Sequence, residues 1–270
     1  MGNRDAVITR STQLANHIEQ GAPHARMRTA LVTGATRGLG LALARTLAHR
    51  GWNLIIDGRD AERLRAVRDE LAEITHIAAL AGDVADASHR RELAVLARGH
   101  NGLHAIVNNA GALGPSPLPP VLELSDDDLL ALFRTNVAAP IALLREIRAS
   151  LQPDARIVNV TSDAAVNAYA GWGAYGASKA ALEQLSAVLA AELATTRPDL
   201  RVYWVDPGDM RTDMHQAAFP GEDISDRAEP ESRVAAFVAL LEGSLPSGRY
   251  RAEELLAREV VDGAALQGVA

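Results

Sequence analysis

Six short apolar runs alternate with longer stretches of helical period along most of this chain, and this alternation narrows the possible folds sharply. The runs are "TALVT" at 29–33, "WNLIID" at 52–57, "HIAAL" at 76–80, "LHAIVN" at 103–108, "RIVNVTS" at 156–162 and "RVYWVD" at 201–206. Strands this apolar are expected to be covered on both faces, as in a parallel sheet. Between them, residues 39–51, 61–74, 86–98, 124–150 and 174–197 read as helices. Parallel strands joined by right-handed helical crossovers wind helices onto both sides of the sheet. The expectation is therefore an α/β Rossmann fold, a doubly wound parallel sheet, as a single domain over 27–270, with "GRYRAE" at 248–253 as the last strand.

Residues 1–26 are polar and unpatterned and read as an N-terminal extension, while 111–124 is a Pro-rich loop. The long irregular segment 207–230 has the length of a functional lid. A net charge of −7 argues against nucleic acid or an anionic membrane as partner. Cysteine is absent, which removes disulfides and thiol chemistry, and the eight histidines show no helical pair that would hold a metal. No apolar run approaches the roughly 18 residues that a membrane helix needs, and residues 1–26 lack a secretory apolar core, so a cytoplasmic location is expected.

"TGATRGLG" at 33–40 lies between the first strand and the first helix. Glycines at 34, 38 and 40 let backbone amides approach a pyrophosphate at a helix N-terminus, and Thr36, Arg37 and Leu39 complete the turn. Arg59 and Arg37 are placed to clamp a ribose 2′-phosphate, which favours NADP. Asp57 leaves NAD open, because a shift of one place in the strand end would make it the carboxylate that takes the adenosine ribose.

Lys179 is the one lysine in the chain and stands four places after Tyr175 in "YGASK". A phenol of pKa about 10 ionises near neutral pH only with positive charge beside it, and a lysine at i+4 shares its helix face. Tyr175 can then give a proton to a carbonyl oxygen or take one from an alcohol. Ser162, at the end of "VTS", is placed to hold the same oxygen by a hydrogen bond. Trp172 and Met210, with Leu113, Met214 and Phe219, are candidates for an apolar substrate wall.

The turn at 33–40, "GDV" at 82–84, "NNAG" at 108–111, Asn136 in "RTNV", Ser162 and the YxxxK pair together resemble the short-chain dehydrogenase/reductase family, over about residues 28–210. The resemblance implies an NAD(P)-dependent oxidoreductase that interconverts a small carbonyl compound and an alcohol. It also implies that Lys179 binds the nicotinamide ribose, that Asn136 fixes a water in a proton relay, and that Asn108, Asn109, Ala110 and Gly111 shape the cofactor site. Asp83 and Val84 would meet the adenine, Pro207 and Gly208 would lie beside the nicotinamide, and Thr212 would approach its carboxamide. A homodimer through the helices at 124–150 and 174–197 is the implied assembly. The family's usual C-terminal D-G-G sequence is replaced here, which puts a tetramer in doubt, and Asp206 stands where Asn or Ala is usual before Pro207. A non-catalytic nucleotide-sensing protein is the rival reading, although none of Asn136, Ser162, Tyr175 and Lys179 is lost. An epimerase or dehydratase would carry a larger C-terminal domain than the 91 residues after Lys179.

Overall fold

The computed structural model describes residues 28–100 and 102–257. The expected extension at 1–26 and the end of the C-terminal tail lie outside those residues. Among the described residues seven strands form one parallel sheet: β1 (Thr29–Val32), β2 (Asn53–Gly58), β3 (Ile77–Ala81), β4 (Leu103–Asn108), β5 (Leu151–Val160), β6 (Arg201–Asp206) and β7 (Gly248–Arg251). Their order is β3-β2-β1-β4-β5-β6-β7. The helices are α1 (Gly38–His49), α2 (Ala61–Ala72), α3 (Ala87–Gly99), α4 (Asp126–Phe133), α5 (Ala139–Ile147), α6 (Gly173–Thr196), α7 (Asp213–Ala218) and α8 (Val234–Glu242).

The pleat sorts each apolar run between two cores. Ala30 and Val32, Leu54 and Ile56, Ala105 and Val107, and Tyr203 and Val205 face one side, under Leu43 and Leu47 of α1, Leu64 of α2 and Phe237 and Leu240 of α8. The intervening Leu31, Ile55, Ile106, Ile157 and Val202 face the other, under Leu93 of α3, Leu143 and Ile147 of α5 and Leu193 of α6. Because both faces are packed, removing any one of these side chains leaves a cavity; Leu31→Ala should cost roughly 3 kcal/mol. The chain leaves β1 toward β2 and β3, then returns to the other side of β1 as β4, and the reversal opens a crevice at the carboxyl ends of β1 and β4.

Four boundaries depart from the sequence reading. The expected helix at 124–150 is two α-helices joined by a π turn at Arg134–Ala138. Pro140 has no N–H to give to the Asn136 carbonyl four residues back, so the α-helical ladder cannot run through and the turn widens. Ser125 caps the first piece, its Oγ accepting from Asp128 N at 3.1 Å, with three aspartates in the first turn favoured by the helix dipole. The segment 207–230 is not wholly irregular: Thr212 Oγ1 accepts from His215 N at 3.2 Å and starts α7. Finally, β5 begins at Leu151 and β2 runs through Gly58, which puts Asp57 inside the strand and buries it at 1% exposure.

Candidate active site

The turn after β1 is stitched to the loop after β4. Thr33 Oγ1 accepts from Asn109 N and Ala110 N, both at 3.0 Å, while Asn109 Nδ2 donates to Thr33 O at 2.9 Å and Gly34 O at 3.1 Å. A Cβ on Gly40 would stand 2.3 Å from Gly34 O, so only glycine lets the first turn of α1 pack this closely. Gly34 has φ +68° and a Cβ there would meet Ala110 Cα at 3.0 Å. Arg37 at the N-cap of α1 makes no side-chain cap, which leaves the first amides of the helix without an intrahelical partner and facing the crevice.

The crevice is a cleft of about 620 Å³. Its wall brings together Gly34, Thr36, Arg37, Gly38 and Leu39 from the turn, Arg59, Asp83 and Val84 at one end, Asn109, Ala110 and Gly111 in the middle, and Tyr175, Lys179, Pro207, Met210 and Thr212 at the other. Uncapped amides, absent Cβ atoms and cationic side chains in one elongated cleft fit a phosphorylated dinucleotide. Gly40 packs beneath the wall, and Asn136, Ser162, Trp172 and Gly208 stand behind or beyond it. Arg59 makes no ion pair among the described residues, whereas Arg37 is held by Asp213 of α7 at 2.7 Å. Arg63, missed in the sequence, also lines the cleft and pairs with Asp60 at 3.3 Å. Its place in the first turn of the helix that follows Arg59 was a legible signal.

Asp83 Oδ1 accepts from Ala85 N at 2.8 Å, and Arg90 Nη1 donates to Val84 O at 2.6 Å, which fixes the loop at 82–84. Asp57 does not offer its carboxylate to the cleft in the manner an NAD-selecting residue requires. Its Oδ1 accepts from Gly34 N at 2.7 Å and its Oδ2 lies 3.0 Å from His89 Nε2, so both oxygens are engaged. Asp206, which the sequence left without a role, accepts from Gly208 N at 2.9 Å and is faced by Arg249 and Arg251 at 3.8 and 3.6 Å.

Tyr175 and Lys179 are buried one turn apart on α6. Lys179 Nζ donates to Val160 O at 2.9 Å and lies 5.5 Å from the centroid of the Tyr175 ring. Burial lowers the Lys179 pKa to about 8. Burial also pushes the Tyr175 phenol well above its ordinary value, the hydrogen bond with Ser162 pulls it down, and Asp206 and Asp163 push it up again. Desolvation therefore dominates this phenol, and the lysine does not offset it. A Cβ on Gly176 would stand 2.6 Å from Ala164 O; this second missed residue lets α6 sit against the turn that carries Ser162. Ser162 Oγ donates to Asp163 Oδ1 at 3.1 Å, and Tyr169 OH donates to Asp163 Oδ2 at 2.7 Å.

Asn136 is brought to the site, but its amide is fully occupied. Nδ2 donates to Ala112 O at 2.9 Å and Ser178 Oγ at 3.0 Å, and Oδ1 accepts from Ala112 N at 2.8 Å. The side chain thus ties the loop after β4 to α6. On the far side of Tyr175, Trp172 packs edge-on at 5.6 Å between centroids and meets Phe219 at 6.0 Å, while Leu113 joins the same apolar cluster. Met214 lines the cleft with Met210.

A family model described as short chain dehydrogenase matches residues 28–223. A serine 3-dehydrogenase of Agrobacterium fabrum is 36% identical over 189 residues, 69% of this chain and 73% of that protein. An NADP-dependent 3-hydroxy acid dehydrogenase of Salmonella typhi is 36% identical over 198 residues, 72% of this chain and 77% of its own. Among solved structures, a short chain dehydrogenase from Shigella flexneri complexed with NADP superposes with a TM-score of 0.77 at 30% identity, covering 84% of this chain and 97% of that one.

Proposed function

Since the chain belongs to the short-chain dehydrogenase family and is an NAD(P)-dependent oxidoreductase, we propose that it reduces an uncharged, apolar carbonyl compound to an alcohol, with Tyr175 as the proton donor. The observation that carries this reading is that the Tyr175 phenol and the Lys179 ammonium line the glycine-rich cleft, with the Ser162 hydroxyl hydrogen-bonded to the phenol. The bound nicotinamide supplies the hydride, and the chain handles the proton. Tyr175, kept protonated by its burial, donates to the carbonyl oxygen as charge develops there, and Ser162 holds that oxygen in line. The Lys179 ammonium is the charge proposed to face the phenolate left behind, in part against the burial that holds the phenol above its ordinary value. Asn136 is a positioning residue through its side chain, and its carbonyl, freed of an α-helical donor by Pro140, is the acceptor for a relay water.

NADP is the cofactor, with Arg59 the residue proposed to take its 2′-phosphate. Two of the relatives are named for serine and for 3-hydroxy acids; here the wall beyond Tyr175 is built from Leu113, Trp172 and Phe219, which favours a less polar molecule. Half-exposed Leu130 and Leu185 border an apolar groove with Phe133, Val137 and Ile141, which supports a homodimer through the helices at 124–150 and 174–197; a cytoplasmic location is proposed with it. Among the described residues no helix is long and apolar enough to cross a membrane.

The test is NADPH and NADH oxidation against a panel of ketones and aldehydes, with Tyr175→Phe as control. Turnover that is lost in the Phe variant, with cofactor binding retained, supports the reading. Absence of turnover with every carbonyl, or full activity in Tyr175→Phe, removes it. Arg59→Ala should weaken NADPH binding more than NADH binding; an unchanged preference would count against its role.

A further inference from the structure

We propose that His89 is a positioning residue for cofactor choice: by engaging the second carboxylate oxygen of Asp57 it keeps a negative charge out of the pocket that receives the 2′-phosphate. The inference rests on the reading of the cleft as an NADP site. Three segments meet at this pair. Asp57 comes from the end of β2, and one of its oxygens accepts from Gly34 N in the turn after β1 at 2.7 Å. Its other oxygen accepts from His89 Nε2, in the first turn of α3, at 3.0 Å. The imidazole in turn fills the space over Gly82, whose absent Cβ would stand 2.2 Å from His89 Nδ1. Asp57 and His89 are 1% and 5% exposed, so neither group has water to replace a lost partner.

Geometry makes the direction of the effect clear. Asp57, Gly58, Arg59 and Gly82 all border the cleft, while His89 does not. A carboxylate at Asp57 that lost its histidine would be a buried anion with one unsatisfied oxygen, and a rotation toward the cleft gives that oxygen water. There it would stand two residues from Arg59, repelling a phosphate dianion and offering an acceptor to an unphosphorylated ribose hydroxyl. His89 and Gly82 are thus a matched pair: the imidazole needs the missing Cβ, and Asp57 needs the imidazole. The charged and titratable groups facing the carboxylate are His89, with Asp83 acting from the loop after β3.

The experiment measures dissociation constants of NADPH and NADH, and of the fragments 2′,5′-ADP and 5′-AMP, by isothermal titration calorimetry on the wild type, His89→Leu, and His89→Leu combined with Asp57→Asn. In His89→Leu the preference for the 2′-phosphorylated form should fall about tenfold, the effect of one like charge beside a partly solvated phosphate. Adding Asp57→Asn should restore the preference, because the amide carries no charge into the cleft. His89→Gln, whose amide can still donate to Asp57, should keep it. Should the leucine variant not fold, His89→Asn, polar but too short to reach Asp57, replaces it in both arms. A preference unmoved by the loss of His89, or a double variant no better than the single one, overturns the inference alone. A wild-type chain that binds neither dinucleotide overturns the NADP reading and the inference with it.

Discussion

Replacing Lys179 by methionine should make the protein more stable near neutral pH while removing its activity. Burial lowers the ammonium from 10.5 to about 8 in the folded chain. Between these values the unfolded chain holds a proton that the folded chain has released, so a rise in pH across this interval favours folding. Below about pH 8 both states are protonated, and the folded one carries a buried charge at a cost of about 3 kcal/mol. Methionine keeps the length, removes the charge and gives up the hydrogen bond to Val160 O, worth about 1 kcal/mol. The variant should therefore gain about 2 kcal/mol at pH 7, and the gain should nearly vanish by about pH 9.5. Tyr175 sets the upper limit of the window: its phenol is raised in the folded state, so it contributes stability that is lost as pH climbs past the unfolded value of about 10. Urea midpoints for both proteins at pH 7, 8, 9 and 9.5, without cofactor, give the comparison, provided that the slopes agree. An offset that does not change with pH, or a variant less stable at pH 7, would refute the assignment of a charged, desolvated lysine.

Gly40→Ala should both destabilise the chain by roughly 1–3 kcal/mol and weaken NADPH binding, because its Cβ would press on Gly34 O at 2.3 Å; fluorescence titration with unaltered affinity would contradict the close packing of the turn. Asn136→Ala deletes three hydrogen bonds to Ala112 and Ser178 and should lower the urea midpoint by the equivalent of about 2–4 kcal/mol, with kcat falling more than KM rises. Trp172→Ala, which removes the ring between Tyr175 and Phe219, should raise KM for bulky ketones at least several-fold while leaving the NADPH dissociation constant in place, as read by steady-state kinetics and calorimetry.

The fold was legible because six apolar strands separated by helices repeat one physical signal, and a repeated signal tolerates boundary errors. The turn at 33–40 was legible for a related reason, since three glycines between a strand and a helix leave few other uses for the missing Cβ atoms. Asp57 was not, because a single residue of register decides whether a strand side chain faces the cleft or the interior, and its engagement depends on His89, far away in the chain. Residues 213–218 form too short a helix to show a period, so the segment read as irregular. The i+4 spacing placed Lys179 on the face of Tyr175, yet spacing carries no information about burial. The ammonium binds the end of β5, and desolvation, which no pair of residues reveals, sets the acidity of the phenol. Pro140, by contrast, stood in plain view, and its missing N–H announces the π turn at Asn136.

The strand order also has a consequence for how the chain assembles. Every pairing in the sheet is parallel, so none can be made by a tight hairpin, and Ala30 of β1 cannot meet Ala105 of β4 until the whole intervening β2-β3 excursion has been synthesised. High contact order of this kind slows folding and prolongs the exposure of sticky edges. The order nonetheless divides the work along the chain: β3, β2, β1 and β4 come entirely from the first 108 residues and hold the phosphate turn, while β5, β6 and β7 are added afterward with the catalytic pair. On a ribosome the nucleotide half of the molecule can dock its helices first and serve as the template edge, at β4, on which the chemical half is laid.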